Sequence, residues 1–139
     1  MPDLRDLIGI PFIHNGRDPK QGLDCLGLVV ETFKRFGIQI PDLRQACYDA
    51  ITIQMAILGE VPRWIKIIDP TPPCAVVMAI DPEMPGVIQH LGTYIGDGKV
   101  LHTINKIKSS IFTIDGASLN DSFWTKKIKG YYKWDDLKS

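Results

Sequence analysis

The sequence holds few of the residues that reactive sites are built from. In 139 residues there are three cysteines, Cys25, Cys47 and Cys74, and three histidines, His14, His90 and His102. No C-x-x-C pair occurs, so neither a zinc ribbon nor a thioredoxin-type redox site is indicated. Three widely spaced cysteines permit at most one disulfide within the chain, and a reduced state is the simpler expectation. Long apolar runs are also missing: none approaches the roughly 20 residues a membrane helix needs. Asp3, Arg5 and Asp6 interrupt the segment in which a signal peptide would carry its apolar core. The expectation is a protein made in soluble form without a signal peptide and without a membrane partner. Net charge is absent as well, with 16 basic and 16 acidic groups. Residues 1–98 nevertheless carry −4 and residues 99–139 carry +4. Lysines dressing a sheet edge explain the basic half, and attraction to an acidic polymer is the other reading. Nucleic-acid binding is not indicated.

What is present fits one globular domain over residues 1–139. The chain is 45% hydrophobic and 23% charged, and it is long enough to bury a core without staples. Up to Gly22, turn chemistry in "IPF", "HNG" and "RDPKQG" reads as loop. Asp24 then suits a helix N-cap, with Leu23 and Leu28 placed as a hydrophobic staple. Leu26, Val29, Val30 and Phe33 recur at helical spacing, and Gly37 is a natural stop. Leu28 and Phe36 add apolar surface off that stripe, so this helix is expected to be central. A second helix is expected over about Leu43–Leu58, closed by Gly59. "EVPRWIKIIDPTPP" reads as extended and proline-broken. Strands are expected in "CAVVMAI", "GVIQHLGTYI", "KVLHTI", "SSIFTI" and "KIKGYYKW". The result is an α+β fold, N-terminal helices packed on an antiparallel sheet of about five strands.

Cys25 is the position of chemical interest. At the first turn of a helix it meets unpaired N–H groups and the positive end of the helix dipole, which favour a thiolate. The same N–H groups suit an oxyanion. Gly27, two residues on, costs roughly 1 kcal/mol against alanine in a helix, which points to a close approach by another backbone. Cys47, within a helical pattern, and Cys74, opening an apolar strand, read as structural thiols.

A cysteine nucleophile needs a histidine and a group to orient it. His90 and His102 flank "GDG". A two-residue Asp97-Gly98 turn would put them on opposite faces of the ribbon. A three-residue Gly96-Asp97-Gly98 loop would put them on one face, with His102 opposite Gly92 and Gly98 left-handed. His90 would then be a diagonal neighbour of His102, a gap two imidazoles can span. His14, in the turn-rich loop, reads as solvated. Cys25, His90 and His102 are also zinc-ligand types, but no two are closely spaced, and no metal is expected.

These residues resemble the NlpC/P60 cysteine peptidases of bacterial cell walls, specifically the bacteriophage-tail branch. "GIPFIHNGRDPKQGLDCLGLV" resembles the nucleophile helix and the loop before it, "HLGTYIGDGKVLH" the histidine hairpin, and "IKGYYKW" the closing strand. The resemblance covers nearly the whole chain. It implies a papain-like α+β core with Cys25 as nucleophile, His90 as general base and acid, and His102 orienting His90. Asp24, Leu26, Gly27 and Phe12 would then lie beside the oxyanion or substrate. Phe12 stands where the family often has tyrosine, so a hydroxyl is missing there. The implied substrate is the peptidoglycan stem peptide, with no cofactor, and phage tail proteins are the implied partners. The location would be a phage tail or the bacterial cytoplasm, with action on the cell wall. The rivals are a tail-assembly component without turnover and a papain-like amidase or acyltransferase on a non-wall substrate.

Overall fold

A helix and a sheet meet at their ends, and that meeting point organises the molecule. The computed structural model describes residues 1–42 and 64–135. The expected second helix over Leu43–Leu58, and with it Cys47, lies outside the described residues.

The segment before Gly22 is more ordered than its turn chemistry implied. It holds a single 3₁₀ turn, Arg5–Leu7, and a two-residue strand β1, Arg17–Asp18, paired antiparallel with β2, Gly22–Leu23. Helix α1 follows at Cys25–Arg35. Its N-cap is Asp24, whose Oδ1 accepts from the Gly27 N–H at 2.7 Å. It ends as the sequence implies, with Phe36 as C-cap and Gly37 at φ +83°. There the Ile38 N–H reaches back to the Phe33 carbonyl at 3.0 Å, satisfying an end carbonyl.

Six strands form the main sheet, one more than expected. They are β3 (Trp64–Ile67), β4 (Cys74–Met78), β5 (His90–Gly96), β6 (Lys99–Ile104), β7 (Ile107–Thr113) and β8 (Ile128–Trp134). Their order is β3-β8-β4-β5-β6-β7, with every pairing antiparallel. The additional strand, β3, comes from the "WIKI" part of the stretch read as proline-broken. It joins as an edge beside β8, with Trp64 opposite Trp134, a position where flanking prolines do no damage. A short second helix, α2 (Leu119–Thr125), was not anticipated.

The core lies on both faces of the sheet. On one, α1 buries Leu26, Val29 and Phe33 against Ile40, Val77, Ile88 and Leu91. Leu23 and Leu28, the anticipated staple pair, join Leu4, Leu7, Ile10, Ile95 and Leu101 in an adjoining cluster. Helix α1 thus feeds two clusters and is central. On the other face, Val76, Met78, Val100 and Phe112 pack with Trp124 of α2. The neighbouring strand positions alternate between these faces, as pleating requires. The N-terminal segment is stitched to β7 through Ser109, whose hydroxyl donates to the Leu7 carbonyl at 2.6 Å and accepts from the Ile10 N–H at 2.8 Å.

Candidate active site

Three conditions hold Cys25 at the first position of α1. Asp24, fully buried, caps the helix and also accepts from Arg17 Nη1 at 2.7 Å and from the Asn15 N–H at 3.0 Å. The upstream loop runs beside it: Phe12 bridges Leu23, and the Leu23 N–H donates to the Pro11 carbonyl at 3.1 Å. Gly27 has no side chain because the Gly16 carbonyl oxygen occupies the space a Cβ would need. This is the close backbone approach that Gly27 implied. The bond network of Asp24 is therefore turned inward, and the Leu26 side chain belongs to the core cluster under α1. Cys25 itself is buried, at 2% exposure.

The histidines come from one ribbon. Gly92 pairs with His102, Thr93 with Leu101 and Tyr94 with Val100, the register that puts both imidazoles on one face. The turn that sets it differs in detail from the three-residue loop. Asp97 and Gly98, both at positive φ, form a two-residue turn between Gly96 and Lys99. An irregularity between Tyr94 and Gly96 shifts the pairing by one. Positive φ at both central residues matches the twist of the strands, and the bulge restores the same-face register that the short turn alone would have lost. His90 Nε2 and His102 Nδ1 lie 2.9 Å apart in a hydrogen bond.

Both rings are buried, at 1% and 2% exposure. Trp124 covers them, its ring centroid 4.5 Å from that of His102 and 5.7 Å from that of His90, while Phe112 meets His102 edge-on at 5.0 Å. Burial, and then the neighbouring imidazole of His102, holds His90 well below the ordinary histidine range. Burial alone brings His102 down to about 4. Near neutral pH the pair is uncharged, so one ring donates and the other accepts.

Cys25 and His90 line a single cavity of about 130 Å³, together with Phe12, His14, Gln89 and Thr103 among others. His90 is the first residue of β5, so the cavity sits where the start of α1 passes the end of the sheet. With Nε2 committed to His102, Nδ1 of His90 is the ring nitrogen left for a partner in the cavity.

Cys25 departs from the reduced state expected of it, and Cys74 keeps to it. Cys25 is disulfide-bonded, its partner sulfur lying outside the described residues. Cys74 is a free thiol, fully buried in β4, and burial pushes it up to about 11, which suits its reading as structural.

Comparison with known proteins gives the family of the chain. The NlpC/P60 family model matches residues 9–133, nearly the whole chain. The chain belongs to the NlpC/P60 family. A gamma-DL-glutamyl hydrolase of Bacillus subtilis (strain 168) is 29% identical over 133 residues, which are 94% of this chain and 27% of that protein. The chain thus spans about a quarter of that curated relative. The NlpC/p60 domain of the peptidoglycan hydrolase SagA superposes with a TM-score of 0.55 at 15% identity, covering 93% of this chain and 91% of that one. NlpC2 from Trichomonas vaginalis gives 0.62 at 17% identity, covering 94% and 45%. These two likenesses concern the fold, an NlpC/P60 α+β core.

Two residues at this cavity and histidine pair were not singled out as part of the site from sequence. Trp124 seals the histidine pair, and a signal for its helix was present: Ser118, three residues before Asp121, caps α2 through an Asp121 N–H to Ser118 Oγ bond of 3.0 Å. His14, read as solvated, is exposed but borders the cavity.

Proposed function

We propose that this NlpC/P60 protein is a cysteine peptidase that hydrolyses amide bonds in peptidoglycan stem peptides. Cys25 is the nucleophile, His90 the general base and acid, and His102 the residue that orients His90. The observation that carries the proposal is the shared cavity of Cys25 and His90, with the far nitrogen of His90 anchored on His102. The name of the Bacillus relative points to γ-glutamyl amide bonds, and stem peptides contain such a bond at D-glutamate.

The reaction runs through a thioester, on Cys25 in its reduced form. His90 Nδ1 takes the thiol proton as sulfur adds to the substrate carbonyl carbon and the C=O π pair moves to oxygen. N–H groups at the start of α1 hold that oxyanion. On collapse the C–N bond breaks, and His90 returns its proton to the departing amine. His90 then takes a proton from water as the water oxygen adds to the thioester carbon; the C–S bond breaks, His90 returns that proton to sulfur, and the product leaves as a carboxylate after shedding its acid proton to solvent. As His90 becomes cationic, Nε2–H donates to His102 Nδ1, which must remain a neutral acceptor. The low titration of His102, about 4, supports that role.

A phage-tail setting is part of the proposal and rests on the likeness of the closing strand, "IKGYYKW", to that branch. No helix among the described residues is long and apolar enough to cross a membrane.

The test is mass spectrometry of products from purified peptidoglycan treated with the reduced protein. Cys25→Ala is expected to abolish release, and His102→Asn to retain more activity than His90→Ala. Undiminished activity of Cys25→Ala rejects the proposal, and the reverse histidine ranking rejects the assigned roles. Absence of turnover by the reduced wild-type protein on wall and non-wall amides alike would favour the assembly-component reading.

A further inference from the structure

Asp24 caps α1 with a charge, and that charge stands one residue from the sulfur of Cys25. The Asp24 carboxylate is fully buried and accepts three hydrogen bonds. Oδ1 takes the Gly27 N–H and Arg17 Nη1, both at 2.7 Å, and Oδ2 takes the Asn15 N–H at 3.0 Å. The bonds fix the first turn of α1, but the charge works against what that turn offers. A helix start favours negative charge through its free N–H groups and its dipole. A buried carboxylate beside it repels a thiolate or an oxyanion.

Arg17 is the cation that answers this charge. It comes from β1, and its side chain is only 12% exposed. Nη1 donates to Asp24 Oδ1 and, at 2.8 Å, to the Gly16 carbonyl, the oxygen that packs against Gly27. Nε donates to Asp42 Oδ1 at 2.8 Å. Asp42 lies beyond the C-terminal end of α1 and is 31% exposed, so solvent screens its charge, whereas Asp24 is wholly shielded. Asp42 thus aims the guanidinium, and Asp24 receives its charge. The remaining Nη2 is buried without a hydrogen-bond partner among the described residues, so this placement favours the contact with Asp24 over a full set of bonds.

The other titratable groups around the start of α1 are imidazoles and one exposed carboxylate. The loop gives His14 and β5 gives His90 to the cavity, β6 holds His102 behind His90, and β1 adds Asp18 on the surface. None of them is bonded to Asp24. We propose that Arg17 is a positioning residue for the reaction, acting through Asp24. By pairing with the N-cap carboxylate it holds the first turn of α1 and offsets the negative charge there, so that charge can develop on the Cys25 sulfur and on the substrate oxygen. The proposal rests on the reading of Cys25 as nucleophile.

The test follows iodoacetamide alkylation of Cys25 against pH in the reduced protein. Wild type is compared with Arg17→Met, Arg17→Lys, Asp24→Asn and the Arg17→Met/Asp24→Asn double variant. Asparagine caps a helix about as well as aspartate, so Asp24→Asn removes the charge and keeps the cap. The midpoint of the alkylation profile is expected to rise by about one pH unit in Arg17→Met and to fall by about one in Asp24→Asn. The double variant should return to the wild-type midpoint, and Arg17→Lys, which keeps the charge, should stay near it. A purely structural role predicts otherwise, because the Arg17–Asp24 bond is lost equally in Arg17→Met and in the double variant. Equal midpoints for those two overturn the proposal. So does an unmoved midpoint in Asp24→Asn, which decides the matter even where Arg17→Met does not fold. Peptidoglycan hydrolysis at pH 6 is measured alongside: kcat/KM should drop about tenfold in Arg17→Met, the thiolate lost to one pH unit, and recover in the double variant. If the reduced wild-type protein releases no product while the midpoints move as stated, the peptidase reading fails, and with it the place of Arg17 in a reaction, while the charge pairing at Cys25 stands.

Discussion

Gly92 and His102 face each other across the β5–β6 ribbon, and the missing side chain of one makes the position of the other possible. A Cβ on Gly92 would come within 3.2 Å of His102 Cβ and 2.9 Å of Val100 Cγ1. Gly92→Ala is therefore expected to push His102 off its bond to His90. Overpacking of this kind costs about 1–3 kcal/mol, and misplacing a reacting group lowers the rate roughly tenfold or more. Urea unfolding and peptidoglycan hydrolysis check the two effects.

Gly27→Ala sets two rules against each other. Helix propensity alone makes alanine better by about 1 kcal/mol. The new methyl would, however, collide with the Gly16 carbonyl, a backbone group held by the Arg17 guanidinium at 2.8 Å. Net destabilisation of about 1–3 kcal/mol is expected. A rise in the urea midpoint would mean that the loop yields easily.

The disulfide at Cys25 makes the proposed activity conditional on reduction. Protein kept oxidised is expected to release no product from peptidoglycan, and dithiothreitol is expected to start hydrolysis. Peptide mapping should show iodoacetamide on Cys25 only after the reductant is added. Full activity in oxidised protein would contradict this arrangement. Cys74, buried and with its thiol pushed up to about 11, should label last in the folded protein.

Acid should weaken the fold through the histidine pair. In the unfolded chain both rings take up protons near the ordinary value of about 6.5, whereas in the folded protein His102 resists until about 4 and His90 is also shifted downward. Between those values the unfolded state binds more protons, so stability rises with pH across this window and is lost as pH falls through it. For His102 the loss is on the order of 3 kcal/mol. Urea midpoints between pH 7 and pH 4 measure it, and the slope should be shallower in His102→Gln. An unchanged slope would place the acid sensitivity elsewhere.

Much of this site was legible from local chemistry. Asp24 as cap, Cys25 at the first turn, the Leu23–Leu28 staple and the Gly37 stop each follow from residue types at fixed offsets, and all four are seen. The histidine register required a choice between turns, decided by the volume rule that a glycine opposite His102 leaves room. Its cause, a two-residue turn plus a bulge, was not legible, because the extra unpaired residue of a bulge breaks the two-residue alternation from which register is read. Strand β3 was hidden by its proline-rich flanks, and no local pattern around Cys25 signals its disulfide. Trp124 was missed because its helix is only Leu119–Thr125, too short for periodicity to register.

The Trp124 ring bears on the proton of the His90–His102 bond. With indole on one side, Phe112 beside it and almost no solvent contact, that proton should exchange slowly with bulk water. It should thus be visible as a downfield imidazole signal in proton spectra of the resting protein. Replacing Trp124 with a small residue would open a second route to solvent and broaden that signal, even with the sulfur and both imidazoles left in place.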